Sequence, residues 1–204
     1  EARTAFRQAL EVKPGYLAAL LGQARLLAVQ RRFDDAHNEV KQALAIAPEN
    51  TEGLMLEGDL LRVLGRTDDA AVSYKKAVDL QPGHVDALLA LASLRIAAGA
   101  YDEAEKSLAA VKKTQPYHPM AAYFKALIDF RKGDFQSARD AIQQVLRVAP
   151  NHLPTVLLGG AVDFALGSNE LAQTRLKYVL ERAPNNQYAR RVLIASHVRT
   201  GQTE

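Results

Sequence analysis

Six prolines, Pro14, Pro48, Pro82, Pro116, Pro150 and Pro184, recur at a fixed interval of 34 residues. A period of that length confines the chain to a repeat architecture, in which each unit is one supersecondary element that buries its apolar face against its neighbours. Other columns keep the register. Ala36, Ala70, Ala104, Ala138 and Ala172 lie 34 apart, as do Gly65, Gly99, Gly133, Gly167 and Gly201. Counting from the prolines divides the 204 residues into five full repeats, 17–50, 51–84, 85–118, 119–152 and 153–186, with partial repeats at 1–16 and 187–204.

The apolar spacing inside a unit is helical. In 51–84, Leu54, Gly58 and Leu61 fall at i, i+4 and i+7. Gly65 can then end the helix in a left-handed conformation, and Ala70, Tyr74 and Ala77 form a second stripe. Pro82 stops that second helix, because its ring lacks an N–H and drives the preceding residue out of the α region. Asp34-Asp35 and Asp68-Asp69 are expected to cap free N–H groups at second-helix starts. The expected fold is therefore all-α, built from antiparallel helix pairs. Residues 1–16 read as a second helix and 187–204 as a first helix, which predicts an excerpt of a longer array. Phe6, Ala9 and Leu10 at one end and Val192, Leu193 and Ile194 at the other are then faces that lack neighbours, so end-to-end self-association is an expectation.

Composition narrows the function. The absence of Cys excludes disulfides, thiolate metal sites and cysteine nucleophiles. No run of 18 apolar residues is present, so no transmembrane segment is expected. The net charge of +3 is dispersed: repeat 51–84 carries −2, repeat 119–152 carries +2, and the other full repeats are neutral. Without a basic face, nucleic acid is not an expected partner. Catalytic and phosphate-binding signatures are missing, and Gly159-Gly160 inside a helix reads as close helix packing. His84, His118 and His152 share the last position of consecutive units. Stacked helices stand roughly 8–10 Å apart, whereas zinc needs its nitrogens at about 2.0–2.1 Å, so these histidines read as polar residues at helix starts. No catalytic, cofactor-binding or metal-ligating residue is expected, and the chain reads as non-enzymatic.

Small residues at unit positions 8, 20 and 27, aromatics at position 17 (Phe33, Tyr101, Phe135) and the proline at position 32 resemble the tetratricopeptide repeat family over the whole chain. Arg31 departs from it by replacing the turn glycine, Thr67 and Asn169 by replacing the position-17 aromatic, and position 11 never carries the family's aromatic. The resemblance implies a right-handed superhelical solenoid and a protein-interaction scaffold with a concave groove floored by first-helix positions 2, 5, 9, 12 and 13. Positions 5, 9 and 12 read Leu21, Arg25, Ala28 and Met55, Asp59, Arg62 in the first two repeats. In the next three they read Leu89, Ser93, Ile96, then Tyr123, Leu127, Phe130, then Leu157, Ala161, Phe164. The apolar set among these, Leu89, Ile96, Tyr123, Leu127, Phe130, Leu157 and Phe164, is the expected seat of an amphipathic helix or an extended apolar peptide, with Tyr123, Phe130 and Phe164 as anchors. The competing reading is that the stripe packs inside the solenoid. The chaperone-tail clamp of related co-chaperones needs Lys or Arg at position 5 and Asn at position 9, and neither requirement is met.

Two finer expectations complete the reading. Residues 149–168 and 183–202 are similar to repeats of bacterial tetratricopeptide lipoproteins that accompany exosortase and PEP-CTERM sorting systems. That resemblance implies a periplasmic or envelope scaffold linked to exopolysaccharide export or PEP-CTERM protein sorting; the alternatives are a cytoplasmic location, a spacer acting through stacked ends, and polysaccharide binding. Arg95, Asp129 and Asp163 occupy position 11 and Lys125 position 7. They form either a polar seam inside the stack or charges at the margin of a rotated helix, and the margin is the expectation.

Overall fold

A computed structural model describes residues 2–13 and 15–201; Pro14 lies outside them. Twelve α-helices and no strand occur among the described residues: α1 Ala2–Val12, α2 Leu17–Val29, α3 Phe33–Ile46, α4 Thr51–Val63, α5 Thr67–Leu80, α6 Val85–Ala97, α7 Tyr101–Thr114, α8 Pro119–Lys132, α9 Phe135–Val148, α10 Leu153–Ala165, α11 Asn169–Arg182 and α12 Gln187–Arg199. Each first helix ends before a left-handed residue. Gly65, Gly99, Gly133, Gly167 and Gly201 hold φ between 72° and 82°, and Arg31 takes the same conformation at 60°.

The side chain of the last residue caps the following first helix in four of the five full units, while His152 Nδ1 instead bonds the Thr155 hydroxyl at 2.7 Å. Asn50 Oδ1 accepts from Gly53 N at 2.7 Å, and Asn186 Oδ1 accepts from Ala189 N at 2.9 Å. His84 Nδ1 does the same for Ala87 N at 3.2 Å, and His118 Nδ1 for Ala121 N at 3.4 Å. The acid pairs at second-helix starts behave differently from expectation. α3 and α5 have Arg32 and Arg66 at their N-caps with no side-chain cap. Asp35 and Asp69 instead accept from the Nε of those arginines at 2.7 and 2.8 Å. An arginine three residues upstream offers a carboxylate a charged donor, which outcompetes a backbone N–H.

The helices pack as two compact units, Glu1–Ala98 and Gly99–Glu204. In the first, α2 pairs with α3 and α4 with α5. Leu20, Leu21, Ala24, Ala36 and Val40 form one cluster, and Leu61, Ala70, Tyr74 and Leu91 another. In the second, α8 pairs with α9 and α10 with α11 around Ala138, Ile142, Val162, Leu176 and Val179. Small residues permit the close crossings. A Cβ on Gly58 would collide with the Tyr74 ring, and one on Gly160 would lie 2.8 Å from Leu176 Cγ. The Gly159-Gly160 pair is thus a packing feature.

Of the six residues expected to lack neighbours, most have them. The Phe6 ring covers Gly22, where a Cβ would stand 2.6 Å away, and Leu10 packs on the Leu20 cluster. Val192 and Leu193 pack on the Val156–Leu176 cluster, whereas Ile194 is 57% exposed.

Candidate partner-binding face

Tyr123, Leu127 and Phe130 follow one another at i, i+4 and i+7 along α8, so they share a face. All three are half-buried, with their inner edges on the cluster of Ala138, Ile142, Leu158 and Val162. Tyr123 meets His152 edge-on with ring centroids 5.5 Å apart, and Phe130 meets Phe135 at 5.7 Å. Burial raises the Tyr123 phenol above its ordinary range, so the ring acts as an uncharged surface.

On α10, Leu157 and Phe164 are likewise half-buried, against Val156, Leu176 and Val179. The Arg199 guanidinium lies 4.0 Å over the Phe164 ring, and its Nη1 donates to the Phe164 carbonyl at 2.8 Å. Ala161, between them in the same register, is buried. α8 and α10 are neighbours, so unit Gly99–Glu204 carries the five residues as one partly covered apolar stripe. In unit Glu1–Ala98, Leu89 is buried and Ile96 half-buried on α6.

The polar part of the expected floor lines a hollow. Arg25, Met55 and Asp59 border a space of about 660 Å³ together with Glu52, His84 and Asp86. Arg25 pairs with Glu52, and Asp59 accepts from the wholly buried Tyr74 hydroxyl at 2.7 Å. Acidic groups outnumber the one arginine there. None of the seven apolar residues borders this hollow.

Two of the charges, Asp129 and Asp163, correct the margin expectation, whereas Arg95 is half-buried and Lys125 is exposed. Asp129 is only 4% exposed and is gripped by Lys125. Asp163 is fully buried, with Arg139 Nη2 at 3.0 Å and Arg175 Nη1 at 2.7 Å. Arg139 Nη2 also donates to Ser168 Oγ at 2.8 Å. Burial pushes the Asp163 carboxyl up from the ordinary aspartate range while Arg175 and Arg139 pull it back. Room for Arg175 comes from Gly159, where a Cβ would sit 2.5 Å from the guanidinium Nη1. The arginines come from the second helices α9 and α11 on either side of α10, so two helix crossings supply both countercharges. Sequence reading missed Arg139 and Arg175; a glycine and an aspartate four apart in an otherwise apolar helix were the available signal.

Models of the tetratricopeptide repeat match residues 1–51, 22–85 and 64–128. The chain belongs to the tetratricopeptide repeat family. No curated protein matches it in sequence. Among solved structures, it is similar to a tetratricopeptide repeat protein from Parabacteroides merdae (TM-score 0.80, 17% identity, covering 98% of this chain and 79% of that one). It is also similar to PilW, a type IV pilus biogenesis factor (TM-score 0.79, 24% identity, 93% and 88%), and to YrrB, a tetratricopeptide repeat protein with an unusual peptide-binding site (TM-score 0.71, 17% identity, 91% and 95%). At these identities the likeness establishes the fold. Among the described residues no helix is long and apolar enough to cross a membrane, and no three metal-ligating side chains converge.

Proposed function

We propose that this tetratricopeptide repeat chain is a non-catalytic scaffold that binds a peptide or a partner helix on its first-helix face. The observation that carries the reading is the half-covered stripe of Tyr123, Leu127, Phe130, Leu157 and Phe164 on adjacent helices. Its side chains are held by packing beneath and still present apolar and aromatic edges to a ligand, the combination that anchors an amphipathic helix. YrrB, which shares the fold, has a peptide-binding site of its own. Tyr123→Ser combined with Phe130→Ser should abolish partner capture while the helical circular dichroism stays intact. Undiminished capture with intact helicity would refute the groove reading.

The sequence likeness of 149–168 and 183–202 to PEP-CTERM-associated repeats supports placing this scaffold in a bacterial envelope, in exopolysaccharide export or PEP-CTERM protein sorting. A reporter active only outside the cytoplasm, fused to the full-length protein, should be active; an inactive fusion of a well-expressed protein would place it in the cytoplasm. A second reading, self-association through an end helix, draws on Ile194 and Val198, which are 57% and 61% exposed on α12.

A further inference from the structure

Four of the six joints between a second helix and the next first helix are filled by the same two aliphatic columns. Unit position 28 supplies Leu10, Leu44, Val78 and Leu146 there, and position 4 supplies Leu20, Leu54, Leu88 and Val156, whereas the joint between α11 and α12 has Leu180 with an exposed Arg190. Leu10 packs with the Leu20 cluster, Leu44 with Leu54, and Leu146 with Val156. Between α7 and α8 both aliphatics are missing, because position 28 is Lys112 and position 4 is Ala122. The neighbouring position 3 is buried in every other first helix, at Ala19, Gly53, Ala87, Thr155 and Ala189. Here Ala121 and Ala122 are both left half-exposed. The result is a cavity of about 680 Å³ bounded by α7, α8 and α9, within the range of about 300–1,000 Å³ usual for ligand sites.

Two further features describe what would enter it. Tyr117, 91% exposed, and Val148, 66% exposed, stand at its edge as apolar groups in water. Lys112 and Arg147 also line it, and among the described residues neither has an ion-pair partner. Its third cation, Lys125, is engaged by Asp129 and Glu105, and Glu105 by Lys132. The bare charge of the site is therefore positive over an apolar floor.

We propose that this cavity is a second docking site, for an acidic, leucine-rich segment of a partner protein. Leucine-like side chains from the partner would occupy the space that two aliphatics of the chain itself fill at four other joints, and flanking carboxylates would pair with Lys112 and Arg147. At 100° per residue, Ala121 lies about 120–180° around α8 from Tyr123, Leu127 and Phe130, and Ala122 about 80–140° from them; none of the three lines the cavity. A ligand here leaves the first-helix stripe free, so the two sites are separable.

The test uses the full chain, isotope-labelled, titrated with the capped hexapeptide DLLELD and, as control, KLLKLK. The acidic peptide should shift the amide resonances of Ala109, Lys112, Ala122 and Arg147, and the basic one should not. Lys112→Gln with Arg147→Gln should weaken that binding about tenfold or more without altering helicity. Lys112→Leu with Ala122→Leu rebuilds the joint as four others have it. That variant should raise the melting temperature and remove binding together, a pairing that misfolding cannot imitate. Shifts centred on Tyr123 and Phe130, equal response to both peptides, no response to either, or binding that survives the filled joint would each overturn the proposal. So would dodecanoate displacing all peptide from the same resonances at stoichiometric concentration, which would assign the cavity to a small amphiphilic carboxylate.

Discussion

Arg31 holds a left-handed backbone, φ 60°, in a column that is otherwise glycine. That conformation costs a residue with a Cβ about 1–2 kcal/mol, while glycine forfeits roughly 0.5–1 kcal/mol of extra chain entropy on folding. Arg31→Gly should therefore stabilise the protein by about 0.5–1 kcal/mol, read as a higher urea midpoint at unchanged slope; a lower midpoint would mean the side chain has a stabilising role that outweighs its backbone strain. Asp163 presents the opposite case, a single carboxylate buried between Arg139 and Arg175. Asp163→Leu leaves two guanidinium groups facing one another at a buried crossing and should cost about 3–5 kcal/mol. Replacing all three, Asp163→Leu with Arg139→Met and Arg175→Met, should recover most of that loss or exceed wild type, because the desolvation cost disappears with the charges. A mild effect of the single change would show that water reaches the triad. Arg31 was legible in the sequence as a missing glycine. The triad was not, since its members lie 24 and 12 residues apart on three helices and meet only once the crossing geometry exists.

At the scale of the element, the helix limits were legible because they depend on local chemistry: glycine at the turn, a polar cap at the last unit position, and proline beyond the second helix. Contacts between elements were harder to foresee. Asp34-Asp35 looked like caps, yet the donor that captures Asp35 is Arg32, at a unit position where only the first two full repeats have an arginine. The joint between α7 and α8 also carries a charge network: Lys132 reaches Asp102 and Glu105 at 2.9 Å each, and Lys125 bridges Glu105 to Asp129. Hydrogen bonds from Lys132 are the chief reason the Asp102 and Glu105 carboxyls sit below their ordinary ranges, and the same contacts raise the Lys132 ammonium. A depressed carboxyl stabilises the fold above its unfolded value, about 3.9 for Asp and 4.3 for Glu, and that stabilisation is lost as pH falls through the folded value. Lys132→Met should therefore lower the melting temperature at neutral pH, with the gap to wild type closing as pH drops from about 5 to 3. High salt should shrink the gap at neutral pH as well, since Asp102 and half of the network face solvent. A gap independent of pH would assign the loss to packing of the lysine stem.

For the whole molecule, α1 and α12 bear unequally on association between copies. Phe6 and Leu10 of α1 are already engaged, by Gly22 and by the Leu20 cluster. Ile194 and Val198, four apart on one side of α12, remain 57% and 61% exposed. An association that used both ends head-to-tail would bury little new surface at α1, whereas pairing α12 with α12 would cover both aliphatics twice over. Such a pair is closed, so the assembly should stop at a dimer. Two aliphatics per protomer fall well short of the roughly 1,200–2,000 Å² of a stable interface, so the dimer should be weak. Light scattering should accordingly give a monomer mass in dilute solution that climbs towards, and not beyond, twice that value as concentration rises. Ile194→Lys with Val198→Lys should hold the mass at the monomer throughout, and Tyr123→Ser with Phe130→Ser should leave the climb unchanged, because those residues lie on a different face. A mass that stays monomeric in the wild type at high concentration would dismiss self-association and leave partner binding as the role of the scaffold. A mass that passes the dimer would instead require an open, head-to-tail contact that includes α1.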